Sequence, residues 1–501
     1  MTLSFPTPSM RRELGPLLRS VVKVTTVSDA PDYDQPWQSQ GPTSSCGSGA
    51  IIETRRGPRI LTNAHCVANH VFIEVRRFGL ARSYEAEVEG LGHECDLALL
   101  RVDDPSFFEG TTPIVIGDLP SLSDRVRVCG YPIGGERLSV AEGIVSRIDL
   151  VSYEQSNRKL LAVQIDAAIN SGNSGGPVID DGALVGIAFQ ALDDADGVGY
   201  AIATPVVRHF LEDVDNGVYE GFPSLGAATQ KLEGPAHRRS LGLPATVEHG
   251  LGGVLVTGVA HGGSGEEILR PGDVLLAIDG VDIGADGVVE IESGLTTDFS
   301  YLVSQRHVGD TLSVEIWRAG QRLHGVMELR PPPYLVAEDR YDMRPSYYLY
   351  GGLLFVPLTR DYLKTWGESW WHNAPHRLVD LYERGLRTSE RQEVVVLQKV
   401  LADRLNVGYH DLESAVMTHV GDRPIRSLSD FVRLVETDTT PFVRLRDMDG
   451  AEIVLDRAEV EARHDVILRK FGVPRDRSLD LVRAKTLEPR PPAIELRATS
   501  A

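Results

Sequence analysis

Short apolar runs recur along residues 20–205, and clusters of Gly, Pro, Asp and Ser separate them at close intervals. The runs are rich in Val, Ile and Leu, which favour β-strands. This rhythm is typical of an antiparallel sandwich or barrel rather than of βαβ units. The predicted strands are SVVKVTTV, GSGAIIE, RILTNAHCV, VFIEVRRF, YEAEVEGL, DLALLRV, VRVCGY, LSVAEGIVSRI, LLAVQID, PVI and ALVGIAF.

A helix is predicted where this β-rich region ends, in TPVVRHFLEDV. Thr204 offers a side-chain oxygen for the N-cap, and Pro205 suits the first helical position because its missing N–H has no partner there. We place the end of the first domain after this helix, at residue 218, and treat residues 1–19 as a separate N-terminal segment.

Two further units follow, and the pattern of the second returns faintly in the third. Residues 221–330 contain ILRPGDVLLAIDGVDI, an apolar strand between two turns, and end at a proline run that opens a stiff linker, 331–345. Residues 346–465 contain GGLLFVPL and AVMTHVGDRPIRSLSDFVRLV, which parallel the earlier strand, turn and helix. The pattern predicts an internal repeat, followed by a loose, proline-rich tail at 466–501.

Composition narrows the class of protein. A chain of 501 residues holds about three domains of roughly 150 residues. Its 51 basic and 71 acidic residues give a net charge of −20, which repels nucleic acid and anionic membrane surfaces. No apolar run approaches the ~20 residues that span a bilayer, and the first residues lack the parts of a secretion signal. We therefore expect a cytoplasmic protein with no membrane span and no nucleic-acid partner.

Metal and nucleotide sites are not expected from the motifs. The four cysteines, Cys46, Cys66, Cys95 and Cys129, contain no CxxC pair, so they predict small buried thiols rather than a zinc site. The phosphate-binding pattern GxxxxGK[ST] is missing from the sequence, which favours an activity independent of ATP. We expect no metal and no cofactor.

Three segments of the first domain carry the groups that a serine nucleophile needs. Catalysis by serine requires a base for the hydroxyl proton, an acid that orients the base, and donors for the oxyanion. His65 lies in LTNAHCV at the end of an apolar strand, Asp96 lies in ECDLALLRV at the start of one, and Ser174 lies in GNSGG. The predicted catalytic residues are therefore His65, Asp96 and Ser174.

Each of these assignments has an alternative nearby. His70 and His93 compete with His65, and Asp103 and Asp104 compete with Asp96, although the two aspartates precede Pro105 and are typical of a solvated turn. The GNSGG segment on its own is also compatible with a tight hairpin, because glycine supplies unusual backbone conformations.

The segments TNAHCV, DLALLRV and DAAINSGNSGGPV together resemble the motifs of trypsin-like serine proteases, and within them the Deg/HtrA family. The likeness extends over about 20–465 and is greatest for the plant Deg9 type. It implies a mainly β chain, with a chymotrypsin-like double β-barrel protease domain at 20–218 followed by two α+β PDZ-like domains at 221–330 and 346–465. It also implies an oligomer of identical chains, based on trimers or larger.

Backbone N–H groups of Gly172 and Ser174, with Asn173 between them, are the predicted oxyanion donors. The predicted substrate pocket is formed by Ala168, Ile169, Ile187, Ala188 and Phe189. Ala168 stands where trypsin-type enzymes of basic preference carry an acid, so cleavage after small or medium aliphatic residues such as Val, Ala or Leu is expected. The alternative is that these apolar side chains are simply core.

The resemblance assigns further roles outside the triad. Cys46 and Cys66 are similar to a bridged pair in secreted relatives, but a reducing compartment favours free thiols. The segment PSLGA, 223–227, is similar to a PDZ carboxylate loop, so Ser224, Leu225 and Gly226 are predicted to bind C-terminal peptides by β-augmentation. The alternative interpretation is that Leu225 and Gly226 only begin a strand and bind no peptide. The apolar GGLLFVPL is expected to pack against a neighbouring subunit.

The sequence therefore predicts an ATP-independent serine endopeptidase that cleaves unfolded or damaged proteins. The alternative function is a peptide-binding PDZ chaperone or scaffold with a dormant protease domain. The complete set of His65, Asp96 and Ser174 favours the enzyme, because a scaffold has no need of all three residues.

Overall fold

The computed structural model describes residues 15–132, 137–167, 169–170, 172–191, 198–247, 250–292, 295–483 and 497–498. The first domain consists of two antiparallel sheets. The strands of the first sheet are β1 (Val21–Ser28), β2 (Thr43–Thr54), β3 (Gly57–Thr62), β4 (His70–Arg77), β5 (Tyr84–Glu85), β6 (Glu87–Gly92) and β7 (Leu97–Arg101). The strands of the second sheet are β8 (Val115–Ile116), β9 (Arg125–Gly130), β10 (Ser139–Ser152), β11 (Lys159–Ile165), β12 (Pro177–Asp180), β13 (Ala183–Ala191) and β14 (Gly199–Ala203).

The second sheet closes on itself as a barrel. Its order is β12-β9-β10-β11-β14-β13-β8, and β12 also pairs with β13. The first sheet has the order β5-β4-β1-β2-β3-β7-β6. Alternating buried positions along β1 match a strand with one face on the core. His65 lies on the loop between β3 and β4, Asp96 lies on the loop between β6 and β7, and Ser174 lies on the loop between β11 and β12 of the second sheet.

Short helices interrupt and close this domain. A 3₁₀ helix at His93–Cys95 leads into β7, a second lies at Pro105–Phe108, and the predicted terminal helix is present at Thr204–Asp215. Its start differs by one position from the sequence prediction. Ala203 is the N-cap and makes no side-chain cap bond, so Thr204 is the first helical residue and not the cap.

The second and third units repeat one strand order. The second unit has β15 (Ala227–Lys231), β16 (Val254–Val259), β17 (Val274–Ile278), β18 (Val281–Asp282), β19 (Val288–Glu292), β20 (Leu295–Asp298), β21 (Thr311–Arg318) and β22 (Gln321–Glu328). The third unit has β23 (Tyr348–Tyr350), β24 (Leu353–Pro357), β25 (Val395–Val400), β26 (Ala415–Val420), β27 (Arg423–Pro424), β28 (Phe442–Asp447) and β29 (Glu452–Asp456). The order β16-β17-β21-β22, with β18 on β17, matches β25-β26-β28-β29, with β27 on β26.

Helices complete these two units. Those of the second unit are Pro235–Ser240 and Ser300–Ser304. Those of the third unit are Arg360–Lys364, Trp370–Asn373, His376–Arg384, the 3₁₀ helix Arg404–Asn406, Leu428–Thr437, Arg457–Lys470 and Leu479–Arg483. A last strand, β30 (Arg497–Ala498), pairs with β22 of the second unit.

Two expectations for the third unit differ from the structure. The apolar GGLLFVPL forms β24, whose five residues are all buried in the chain's own core, so no neighbouring subunit is needed to cover it. The helix Arg457–Lys470 runs across the predicted boundary at 465, and Arg477 pairs with Tyr348. Residues 466–483 are therefore packed rather than loose, because they cover the apolar face that β23 and β24 would otherwise expose.

An ion pair fixes the helix Arg457–Lys470 to the third unit. Arg463 donates from Nε to Asp403 Oδ1 at 2.6 Å and from Nη2 to Oδ2 at 2.7 Å. The Asp403 side chain is only 3% exposed, and the hydrogen bonds from Arg463 lower its pKa to about 2. A carboxyl group whose pKa is lowered by folding stabilises the folded state at pH values above its ordinary pKa. That contribution is lost as the pH falls toward 2.

We expect Asp403→Asn to reduce the free energy of unfolding by about 1 to 2 kcal/mol at neutral pH, because it weakens two charge-assisted hydrogen bonds from Arg463. The difference from wild type should shrink between about pH 4 and 2, because the wild-type carboxylate is protonated there as well. Urea unfolding at a series of pH values measures both effects. Asp411→Asn at an exposed position is the control, and an equal loss there would contradict the assignment.

Candidate active site

The structure places His65 and Asp96 in direct contact. His65 Nδ1 lies 2.8 Å from Asp96 Oδ2, and the His65 backbone N–H donates to Asp96 Oδ1 at 2.9 Å. Asn63 Nδ2 donates to the Asp96 carbonyl oxygen at 2.8 Å. Asp96 has a φ of 54°, in the left-handed region, at the end of the 3₁₀ helix His93–Cys95. This turn aims its fully buried carboxylate at the imidazole.

The charge of Asp96 determines the electrostatics of His65. Burial lowers the pKa of the imidazole, but the carboxylate of Asp96, with a smaller contribution from Cys66, raises it well above its ordinary value. The carboxylate of Asp96 therefore stabilises the protonated ring, which is the form that a histidine acting as general base takes during the reaction. The His65 side chain is 25% exposed, so a substrate can reach the ring.

Ser174 lies on the neighbouring loop, and its hydroxyl points elsewhere in this structure. Ser174 Oγ donates to the carbonyl oxygen of Phe189 at 3.5 Å, and no hydrogen bond joins it to the His65 ring among the described residues. A hydroxyl at 3.5 Å is held weakly. A change of side-chain rotamer is the movement that would turn it toward the ring.

The loop of Ser174 is fixed by Ser48 of β2. Ser48 N donates to the Ser174 carbonyl oxygen at 2.8 Å, and Ser48 Oγ donates to the Gly172 carbonyl oxygen at 2.7 Å. Gly175 has a φ of +83°, and a Cβ there would lie 2.1 Å from the Ser48 carbonyl oxygen. Gly175 is therefore required by the close packing of this loop on β2.

The two predicted oxyanion donors lie on either side of Asn173 in the loop of Ser174. The N–H groups of Gly172 and Ser174 donate to no acceptor within the part of the chain that the structure describes. The Asn173 N–H, which lies between them, donates to the Asn170 carbonyl oxygen at 2.9 Å. This hydrogen bond of Asn173 closes a turn between Gly172 and Ser174. Gly172 permits the turn because it has a φ of +95°.

The alternative residues have other partners. Asp103 pairs with Arg101 at 2.8 Å, and Asp104 caps the 3₁₀ helix Pro105–Phe108 by accepting from Ser106 N. Both side chains lie on the solvated turn that the sequence indicates. His70 and His93 face Asp342, away from Ser174, with ring nitrogens 4.0 and 2.5 Å from its carboxylate.

Two protein families match parts of this chain. The trypsin-like peptidase domain family matches residues 47–187, and the PDZ domain family matches residues 336–480. Protease Do-like 2, chloroplastic, of Arabidopsis thaliana is 37% identical over 469 residues, which cover 93% of this chain and 76% of that protein. Putative protease Do-like 3, mitochondrial, of the same plant is 37% identical over 467 residues, which cover 93% and 80%. The chain belongs to the Deg (protease Do-like) family of serine endopeptidases.

A solved relative supports the fold of this Deg protease. The HtrA-type protease AlgW with a tripeptide is 27% identical, with a TM-score of 0.51 over 66% of this chain and 99% of that one. The predicted fold class, mainly β with a trypsin-like and a PDZ domain, is confirmed. The helices described here are all too short or too polar to cross a membrane.

The predicted pocket residues of the Deg protease are deeply buried. Ile169 and Phe189 are 8% and 5% exposed, and Ile187 and Ala188 are completely buried in the core of the second sheet. Ala168 lies outside the described residues. Ile169 packs on Gly199 of β14, and the Phe189 ring lies 4.5 Å from that of Tyr153. Ile187 and Ala188 are therefore core residues, as the alternative interpretation expects. Ile169 and Phe189 remain the candidates for a pocket wall.

The predicted carboxylate loop of the Deg protease precedes β15, an edge strand of its sheet. Ser224 N donates to the Arg330 carbonyl oxygen and Gly226 N to Ser224 Oγ, both at 3.1 Å. The Leu225 N–H donates to no acceptor among the described residues. The loop borders a cavity of about 510 Å³ whose other walls include the helix Ser300–Ser304 and the linker.

The residues that connect this site to the rest of the chain could not be predicted from the sequence. Glu94, two residues before Asp96, pairs with Arg158 at 2.5 Å and accepts from Phe222 N at 2.9 Å. Asp342 contacts the loops that follow His65 and precede Asp96. No local pattern marks these contacts, because each joins segments far apart in sequence. All four cysteines are free thiols in the structure.

Proposed function

We propose that this Deg protease hydrolyses peptide bonds with Ser174 as nucleophile, His65 as general base and Asp96 as the acid that orients the base. The observation that carries the proposal is the 2.8 Å contact of His65 Nδ1 with the buried Asp96 carboxylate. Beside it, the N–H groups of Gly172 and Ser174 have no acceptor among the described residues. This arrangement leaves the other ring nitrogen, Nε2, for the serine proton.

The reaction begins when Ser174 Oγ leaves the Phe189 carbonyl oxygen and turns toward His65. His65 Nε2 takes the hydroxyl proton while Oγ attacks the peptide carbonyl, and Asp96 stabilises the imidazolium. The N–H groups of Gly172 and Ser174 bind the tetrahedral oxyanion, and one such donor contributes roughly 3 to 4 kcal/mol. His65 then gives its proton to the leaving amine, and water releases the acyl group by the same steps.

The substrates proposed are unfolded or damaged proteins, cut after small or medium aliphatic residues without ATP. The apolar residue Phe189, whose carbonyl oxygen accepts from Ser174 Oγ, supports this preference. Ser224, Leu225 and Gly226 are proposed to bind C-terminal peptides. The Leu225 N–H, which has no acceptor in the described part of the chain and lies beside an edge strand, supports this role. A homo-oligomer and a cytoplasmic location stay predictions, and the two Arabidopsis relatives carry the words chloroplastic and mitochondrial in their names.

Degradation of casein in the absence of ATP tests this proposal. We expect fragments whose new C termini, identified by mass spectrometry, are mostly Val, Ala and Leu. Ile169→Ala should move these termini toward larger apolar residues, because it removes volume from the pocket wall. Fragments that end in Lys or Arg would contradict the pocket. Binding of unfolded casein without any cleavage would instead favour the chaperone alternative.

A further inference from the structure

The linker at 331–345 contacts the first domain at the two loops that carry His65 and Asp96. Asp342 Oδ1 accepts from the Asn69 backbone N–H at 2.6 Å, and the Asp342 N–H donates to Asn69 Oδ1 at 3.0 Å. Asp342 Oδ2 lies 2.5 Å from His93 Nε2. One carboxylate therefore joins a residue four positions after His65 to one three positions before Asp96.

The segments between these contacts are short and closely hydrogen-bonded. Val67 N donates to the Ala64 carbonyl oxygen in the turn that leads from His65 to Asn69. On the other loop, the Asp96 N–H donates to the His93 carbonyl oxygen at 3.2 Å. A displacement of either contact residue is thus passed to a catalytic side chain through only a few backbone bonds.

Tyr341 adds a second contact to the same loop. Its ring stacks on His93 with centroids 4.4 Å apart, and its hydroxyl donates to Gln155 Oε1 at 2.8 Å. The stack holds the His93 ring against Asp342. The Asp342 side chain is 26% exposed. Burial raises its pKa, but the bonds from His93 and Asn69 outweigh burial and lower it, so Asp342 is a carboxylate at neutral pH.

We propose that Asp342 is a positioning residue for the protease reaction, which holds the His65 and Asp96 loops at the separation their hydrogen bond needs. The proposal rests on the proposed function, because it presumes that His65 and Asp96 act together. Because His65 and Asp96 lie on two separate loops, the length of the hydrogen bond between them depends on the positions of both loops. A misplacement of about 1 Å by a distant change costs up to about a hundredfold in rate.

The test uses the full-length chain and a short quenched-fluorescence peptide with a central Val. Asp342→Asn keeps the size of the side chain and removes the charge that holds His93. We expect kcat to fall about tenfold to a hundredfold with KM unchanged, and labelling of Ser174 by a fluorophosphonate to slow by the same factor. A merely structural role would change the melting temperature and leave kcat of the folded protein at the wild-type value.

Glu266→Gln is the matched control. Glu266 also accepts from a histidine ring, His261 at 2.5 Å, and from a backbone N–H, Gly262 at 2.8 Å, but it lies in the second unit. The Glu266→Gln variant should leave kcat unchanged. An equal loss in this control would overturn the specific role of Asp342.

A second variant tests the proposal if Asp342→Asn does not fold. Asn69→Gly removes only the side-chain acceptor of the Asp342 N–H and tolerates the backbone φ of 53° at this position. We expect a smaller fall in kcat than for Asp342→Asn. Wild-type kcat in folded Asp342→Asn, or in Asn69→Gly, would overturn the positioning role alone. A wild-type chain that neither cleaves the peptide nor reacts with the fluorophosphonate would overturn the proposed function itself.

Discussion

Ser174→Ala should lower kcat of peptide hydrolysis by about a millionfold, the loss typical when the nucleophile of a serine protease triad is removed. Without the hydroxyl, no acyl-enzyme can form, and His65 has no serine proton to accept. Only oxyanion stabilisation and substrate binding remain. The melting temperature should stay at the wild-type value, because Ser174 Oγ makes a single weak bond of 3.5 Å to Phe189.

The measurement is hydrolysis of a quenched-fluorescence peptide alongside thermal unfolding of both proteins. Ser121→Ala, at an exposed position, is the control and should retain full activity. Activity that survives in folded Ser174→Ala above the level of a mock purification would exclude Ser174 as the nucleophile.

Asp96→Asn should lower kcat by about ten-thousandfold, as in the trypsin-like template. The carboxylate accepts from His65 Nδ1, so an amide in its place favours the wrong tautomer of the imidazole. The charge of Asp96 also raises the pKa of His65 against the effect of burial. Only neutral His65 accepts a proton, so activity rises as the pH rises through this pKa. Removing the charge lowers the pKa and should move the acid limb of kcat/KM to lower pH.

A pH series of kcat/KM for wild type and Asp96→Asn measures both effects. Asp103→Asn is the matched control, because Asp103 is the nearby alternative acid and pairs with Arg101 on the surface. It should leave the rate and the pH profile unchanged. A large loss in Asp103→Asn, with Asp96→Asn fully active, would reverse the assignment of the acid.

The segments of the candidate site could be predicted from sequence because each carries a local motif. His65, Asp96 and Ser174 lie in three short patterns, and the strands around them have clear apolar runs. The contact of His65 with Asp96 is what the resemblance of these patterns to trypsin-like proteases implies, and the structure has it at 2.8 Å. The direction of the Ser174 hydroxyl does not, since rotamers depend on neighbours such as Phe189 that only the folded chain brings close.

What the sequence could not predict depends on contacts between distant segments. The apolar β24 was expected at a subunit interface, but the helix Arg457–Lys470 and residues near Arg477 cover its unit from within the chain. Asp342 lies in a polar linker with no motif of its own, and its contacts with Asn69 and His93 cross about 250 residues of chain. Local pattern carries no information about such pairs.

The most direct test of the central assignment is covalent labelling of the full-length chain with a fluorophosphonate, followed by peptide mapping. An activated serine beside a histidine base reacts with this reagent, whereas an ordinary serine does not. We expect a single phosphonylated residue, Ser174, and loss of the label in Ser174→Ala and in His65→Ala. A label on another serine, or equal labelling of His65→Ala, would contradict it.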